Sequence, residues 1–135
     1  MSNVDAVRRI YEAFARADIP GVLAELSDDV EWEYGARSTD VPWLRPLHGT
    51  EQVPAFFRQF STNTEMERFV VKELIAGDDL VVAVIDIRFL VRKSGMRVEE
   101  EDQIHIWRFR DGKAVRFRHR ADTHMHHVAW HGDDA

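Results

Sequence analysis

Apolar side chains fall first at Val4, Val7, Tyr11 and Phe14, a spacing of three and four residues that gathers them on one face of a helix. Ser2 or Asn3 can accept from the free N–H groups at its start. Asp18-Ile19-Pro20 ends this helix and opens a short second one through Leu26, because proline is tolerated in a first turn and aspartate suits a helix N-terminus. Val22, Leu23 and Leu26 are expected to face inward. From Val30 the period becomes two. Val30, Trp32 and Tyr34 alternate with Glu31 and Glu33, which predicts a half-buried strand ended by Gly35. Residues 36–49 keep no period and hold Pro42, Trp43, Pro46 and Gly49, so they read as a loop carrying one large aromatic. Thr50 is placed to cap a third helix containing Phe56, Phe57 and Phe60, with Pro54 close to its start. Only strands are expected beyond it, at about 65–76, 80–92, 96–109 and 113–122, separated by Gly77-Asp78-Asp79, Lys93-Ser94-Gly95 and Asp111-Gly112. The order predicts an α+β fold of three N-terminal helices packed on a curved antiparallel sheet.

Register decides which side chains share a face, since a slip of one residue sends them all to the other side. A two-residue Asp111-Gly112 turn puts Trp107 opposite Arg116, and a three-residue Arg110-Asp111-Gly112 loop puts it opposite Val115. The three-residue loop is the expectation. It gathers Gln103, His105, Trp107 and Phe109 with Val115, Phe117, His119 and Ala121, makes His105 and His119 diagonal neighbours roughly 7–8 Å apart, and leaves Arg108, Arg116, Arg118 and Arg120 outside. A three-residue Lys93-Ser94-Gly95 loop sets Ala83 and Ile85 beside His105 and Gln103, and turns Asp86 and Arg88 outward with Glu100 and Asp102. A two-residue loop flips that strand and brings Arg88 into the interior beside Glu101. Loop preferences favour the outward arrangement.

Composition narrows the function. The chain has 135 residues, which suits one domain spanning 1–135 with residues 124–135 as a C-terminal tail; 44% hydrophobic residues, four Trp and eight Phe supply a core. A net charge of −6 repels a phosphate backbone, so no nucleic-acid partner is expected. The absence of cysteine removes disulfides, thiolate nucleophiles and Cys-type zinc sites. The opening MSNVDAVRRI lacks the apolar stretch of a secretory signal and no run of eighteen apolar residues occurs, so a cytoplasmic protein without a membrane partner is expected.

The segments RRIYEAFARADIPGVLAELSDDVEWEYG, GTEQVPAFF and IWRFRDGKAVRFRHRAD, in this order of elements, resemble the SnoaL-like branch of the nuclear transport factor 2 (NTF2)-like superfamily from Val4 to Asp122. The resemblance implies a cone-shaped, cystatin-like fold with a pocket for an apolar small molecule. That superfamily includes ketosteroid isomerases, polyketide cyclases, limonene-type epoxide hydrolases and non-catalytic modules, so the fold implies a pocket rather than one reaction. The acid/base aspartate of the cyclases and epoxide hydrolases corresponds to Asp122, and the oxyanion-binding acid of the isomerases to His105. The isomerase base falls at Tyr34 and its oxyanion tyrosine at Ile10, one position before Tyr11, which argues against steroid isomerisation. The reversed order Asp86-Ile87-Arg88 argues against epoxide hydrolysis.

The candidate catalytic residues are therefore Asp122, as acid/base with a pKa raised by burial, His105, as oxyanion donor or second base with a lowered pKa, and His119. Asp122 can equally cap Thr123 or His124 or pair with Arg120, and either histidine can be a hydrogen-bonded core residue. Trp32, Tyr34, Trp43, Gln103, Trp107 and Phe117 are the candidate substrate-binding residues. His124 with His127, or His127 with His131, would share a helix face, but no helix-borne carboxylate lies near to complete a metal site, so neither metal nor other cofactor is expected. The expected function is a cofactor-free cyclase, isomerase or hydratase acting on a hydrophobic carbonyl compound. The alternative is a non-catalytic ligand-binding or dimerisation module. A homodimer is expected through the outer sheet face, where Ile104 and Ile106 sit among Arg116, Arg118, Arg120, Asp102 and Glu100.

Overall fold

The computed structural model describes residues 2–33 and 40–132. Helix α1 (Asn3–Ala15) is capped by Ser2, whose side chain accepts from the Asp5 N–H, and it buries Ala6, Val7, Ile10 and Ala13. Asp18 caps α2 (Ile19–Leu23) with Pro20 in its first turn, so this helix stops before Leu26. Leu26 instead opens β1 (Leu26–Trp32). A single turn of 3-10 helix (Pro42–Leu44) and the two-residue β2 (Leu47–His48) precede α3 (Val53–Asn63). Thr50 does not cap α3: Gln52 stands at the N-cap without a side-chain bond, and Pro54 fills the first turn.

Four long strands follow, β3 (Thr64–Ala76), β4 (Leu80–Val91), β5 (Arg97–Arg110) and β6 (Lys113–Arg120). The sheet order is β2-β1-β6-β5-β4-β3, antiparallel throughout except that β1 lies parallel to β6. The chain beyond β6 does not remain irregular. Thr123–His131 form α4, which buries His126 and Ala129 and rests against β5. The buried side chains form two adjoining clusters: Trp32, Trp107 and Phe117 with α1 at one end, and Trp43, Phe89 and Val98 with α4 at the other. Trp32 packs tightly there, 4.3 Å from Phe117 and 5.4 Å from Phe56 between ring centroids. No helix among the described residues is long and apolar enough to cross a membrane.

Three backbone irregularities set which groups face inward. The β5–β6 turn has two residues, with Asp111 at φ 52° and Gly112 at φ 79°, the left-handed pair that a type I′ turn requires. This differs from the three-residue expectation, but a register shift beyond Arg108 follows and sets Trp107 opposite Phe117 and His105 directly opposite His119. The expected face survives from Gln103 to Phe109 and at Phe117 and His119, because the turn and the shift offset each other, while Ala114 rather than Val115 is buried opposite Phe109; the two histidines become cross-strand partners instead of diagonal ones. The second irregularity lies in β5. Asp102 adopts φ 58°, and the register with β4 shifts between Ile85 and Ile87, so Ala83 and Ile85 pair with His105 and Gln103 as expected while Glu100 pairs with Ile87 on the inner face. Glu100 therefore leaves the outer ion-pair network and the outer face on which dimerisation was expected. Asp86 stays outside, 2.9 Å from Lys72, and Arg88 stays beside Glu67 at 3.2 Å.

The third irregularity is Glu33. Strict alternation predicts an outward side chain; a left-handed φ of 57° turns it inward, leaving Glu33 only 2% exposed. That conformation costs a non-glycine residue roughly 1 kcal/mol or more, and the bond Glu33 makes inside offsets it.

Candidate active site

The inner face of the sheet, α1, α3 and α4 enclose a mostly aromatic cavity with a free volume of ≈70 Å³. Trp32, Trp43, Gln103, Trp107 and Phe117 all line it, as do His105 and His119. Tyr34 falls outside the described residues. Asp122 does not reach the wall: it is exposed, and its carboxylate caps α4 by accepting from Met125 N–H at 3.0 Å. Of the expected catalytic group, the structure brings together the two histidines and leaves the aspartate outside.

Hydrogen-bond directions follow from which groups can only donate. An indole N–H has no acceptor capacity. Trp107 Nε1 donates to the Tyr11 hydroxyl at 3.0 Å; because His105 Nε2 faces the acceptor Gln103 Oε1 and burial keeps the ring neutral, its bare Nδ1 accepts the Tyr11 O–H at 2.7 Å. His105 then carries its proton on Nε2 and donates to Gln103 Oε1 at 2.8 Å, and Gln103 Nε2 donates to Glu100 Oε2 at 3.2 Å. A second relay starts at Trp43, whose Nε1 donates to His126 Nδ1 at 2.9 Å; His126 Nε2 donates to Glu100 Oε1 at 2.6 Å. The Asp122 backbone N–H reaches the same oxygen at 3.2 Å. Both relays end on one buried carboxylate that can only accept, and this sets the tautomers along them.

The proton affinities agree with this arrangement. Burial holds His105 well below the ordinary imidazole value, and the neighbouring His119 charge acts in the same direction. Burial also lowers His126, with the Glu100 hydrogen bond opposing only part of the effect. For Glu100 burial favours the neutral acid, yet the hydrogen bonds from His126, the Asp122 N–H and Gln103 win, and its carboxyl stays below the usual range. Burial keeps the Tyr11 hydroxyl protonated, against the Trp107 hydrogen bond.

His119 differs. Its Nδ1 lies 2.5 Å from Glu33 Oε1, and the Glu33 side chain is 2% exposed. Burial opposes protonation of His119, but the charge and hydrogen bond of Glu33, with Glu100 behind them, raise its pKa above the ordinary value. Its Nε2 has no hydrogen-bond partner among the described residues, so it is the ring nitrogen of the cavity histidines left for a ligand. Its ring lies 5.9 Å from His105 and 6.2 Å from His126. Trp32, also on the wall, buries its Nε1–H without an acceptor among the described residues. A buried donor without a partner costs about 1–3 kcal/mol, which a ligand oxygen would recover.

Sequence reasoning missed four polar residues here. Tyr11 was legible only as an apolar-face residue of α1. Glu100 carried a signal, since Glu99-Glu100-Glu101-Asp102 is an unbroken acidic run inside a strand and one face of that strand is buried. His126 lay in the stretch read as a tail. Glu33 had no signal, because a left-handed residue reversed its alternation.

This arrangement, helices closing a curved and open sheet over an aromatic cavity with a polar wall, is that of the NTF2-like folds. Residues 7–117 match the family described as the SnoaL-like domain, and the chain belongs to that family. It is 36% identical to an NTF2-like protein of unknown function from Burkholderia pseudomallei, with a TM-score of 0.81 over 92% of this chain and 94% of that one. It is also similar to TerC, co-crystallised with polyporic acid, at 27% identity and a TM-score of 0.83, covering 96% and 98% of the two chains. A computationally designed 17-OHP binder shares the fold at 21% identity, with a TM-score of 0.73 over 93% and 97%. No curated protein matches the chain.

Proposed function

We propose that the protein is a cyclase-, isomerase- or hydratase-type enzyme that moves protons on a hydrophobic carbonyl compound, with His119 as its acid/base. The observation that carries this reading is the uncommitted Nε2 of a buried histidine whose Nδ1 is held by a buried carboxylate. Glu33 orients the ring and stabilises the imidazolium, so Nε2 can deliver a proton to a carbonyl oxygen or take one from the adjacent carbon. The buried Trp32 N–H on the cavity wall is a further donor available to a ligand oxygen as negative charge develops. His105, first expected in that role, has both ring nitrogens engaged. The expectation for Asp122 passes to His119, because a carboxylate engaged in capping α4 outside the cavity does not meet the substrate. Co-crystallisation of the similar TerC with polyporic acid supports a small organic ligand for this pocket.

The free volume of ≈70 Å³ lies below the roughly 300–1,000 Å³ of ordinary ligand sites, so a substrate must displace side chains to enter. Phe56, Phe57 and Phe60 on α3, half-buried on the wall like Phe14, Met66 and Phe69, are candidates to be displaced. The same tight filling favours the second reading, a non-catalytic binding or dimerisation module of this fold. A turnover screen on hydrophobic enones and β-keto compounds separates the two. Wild type is expected to turn over at least one class, and His119→Gln to be slower by about 10²-fold or more. Ligand binding without turnover in wild type overturns the enzymatic reading.

A further inference from the structure

On the outer side of α4, away from the cavity, His127 and His131 stand four residues apart and so share one face of the helix, their rings 4.4 Å apart between centroids. The sequence offered no helix-borne carboxylate to complete this pair. The fold supplies one from elsewhere: Asp40, on the segment entering the 3-10 turn, brings Oδ2 to His127 Nδ1 and, at 2.9 Å, to His131 Nε2. The three ligating atoms lie within 4.8 Å of one another. We propose that Asp40, His127 and His131 bind a divalent transition-metal ion of the zinc or nickel type.

Two imidazoles and a carboxylate are the donor set such borderline ions take, whereas calcium and magnesium prefer all-oxygen ligands and copper(I) prefers sulfur. Metal-to-ligand distances near 2.0–2.1 Å in a tetrahedral site separate the ligand atoms by roughly 3.3 Å, so on binding the two contacts to Asp40 lengthen and any wider spacing within the present 4.8 Å closes to that value. The side chains can make these shifts, being 38%, 41% and 34% exposed for Asp40, His127 and His131. An aspartate is an anionic ligand at neutral pH, so Asp40 brings a negative charge to the ion. Three protein ligands leave at least one position for water. The bound ion would tie α4 to the segment three residues before Trp43, whose indole fixes His126, and would therefore stiffen that end of the cavity.

The test is titration calorimetry of the full chain, without an affinity tag, using zinc chloride alone and then magnesium chloride. The expected result is one zinc per chain with a micromolar or tighter dissociation constant, no magnesium binding, and at least tenfold weaker zinc binding in Asp40→Asn and in His131→Gln. His124→Gln and His48→Gln, altered at exposed histidines outside the cluster, should bind as wild type does. In wild type, zinc should shift the imidazole proton resonances of His127 and His131 and leave those of His105 in place, a readout that needs no variant. Absence of saturable one-to-one binding overturns the proposal, as does equal weakening in the control variants or a zinc shift confined to other histidines.

Discussion

Two acid–histidine pairs of nearly equal length face the same cavity, Glu100–His126 at 2.6 Å and Glu33–His119 at 2.5 Å. Length and burial do not distinguish them; the other ring nitrogen does. Trp43 occupies His126 Nδ1 with a proton it cannot withdraw, so His126 is held neutral and its one N–H is spent on Glu100. Nothing occupies His119 Nε2 among the described residues, and the carboxylate on the other side of the ring raises its affinity for a second proton. One pair is a strut and the other a poised acid. The difference teaches that a buried histidine's availability is set by the donors around it, which pairwise distance alone does not reveal.

Exchanging each carboxylate for its amide gives the largest expected contrast. Glu33→Gln keeps an oxygen for His119 Nδ1–H and removes the charge, so turnover should fall by about 10–100-fold with only a small loss of stability. Glu100→Gln should do the reverse. Its new amide must meet either Gln103 Nε2 or the donors at Oε1, and relaxing by a Gln103 flip would switch the His105 tautomer and leave the Tyr11 hydroxyl accepting from both Trp107 and His105, its own proton without an acceptor among the described residues. A buried donor facing a donor costs about 1–3 kcal/mol, or roughly 3–10 °C in Tm for a chain of this size, with turnover little changed. Thermal melts beside kinetics of both variants check this; a loss of turnover that follows Glu100 and spares Glu33 would reverse the assignment of the two pairs.

A smaller and more graded effect comes from pH. His119, raised in the folded state, contributes stability that is complete below the unfolded imidazole value of about 6.5 and is lost as pH rises through its folded pKa. His105 and His126, lowered in the folded state, are satisfied above about 6.5 and destabilise the fold as pH drops toward their own values. Glu100, lowered as well, adds a further loss on the acid side as pH falls through its folded pKa. Urea midpoints should therefore decline on both sides of neutrality, and the alkaline decline should disappear in His119→Gln. An NMR titration should show His119 protonating at higher pH than His105 and His126; His105 protonating first would undo the comparison.

Much of this frame was legible in the sequence because periodicity reports burial. The faces of α1, β4, β5 and β6 followed from alternation and helical spacing, and Gln103, His105, Trp107, Phe117 and His119 were placed on the cavity side before any coordinates. What escaped was whatever depended on a single left-handed residue. Glu33 and Asp102, both non-glycine at positive φ, each reverse a strand's alternation locally and deliver a carboxylate, Glu33 and Glu100, to the interior. Hydrophobic pattern carries no record of such a residue, since aspartate and glutamate look equally at home on an outer face. The docking of α4 escaped for another reason: THMHHVAWH has weak amphipathicity, and its buried members are a histidine and an alanine rather than large apolar side chains.

The smallest effect is expected at Asp122, and it tests the comparison by being small. Two groups of this residue matter, and neither is carboxylate chemistry. Its backbone N–H donates to Glu100 at 3.2 Å, which no side-chain change removes, and its Oδ1 accepts from Met125 N–H at 3.0 Å, which asparagine reproduces. Asparagine and aspartate cap helices about equally well, so Asp122→Asn should leave Tm within about 2 °C and turnover within about twofold, whereas Asp122→Ala should cost about 1 kcal/mol as the first turn of α4 loses its acceptor. Fraying of that turn loosens His126, so the alanine variant should also weaken the Glu100 strut slightly while His119 titrates as before. If Asp122→Asn instead lowers turnover by tenfold or more with its melting curve intact, the working proton resides on Asp122 and the Glu33–His119 pair is the structural one.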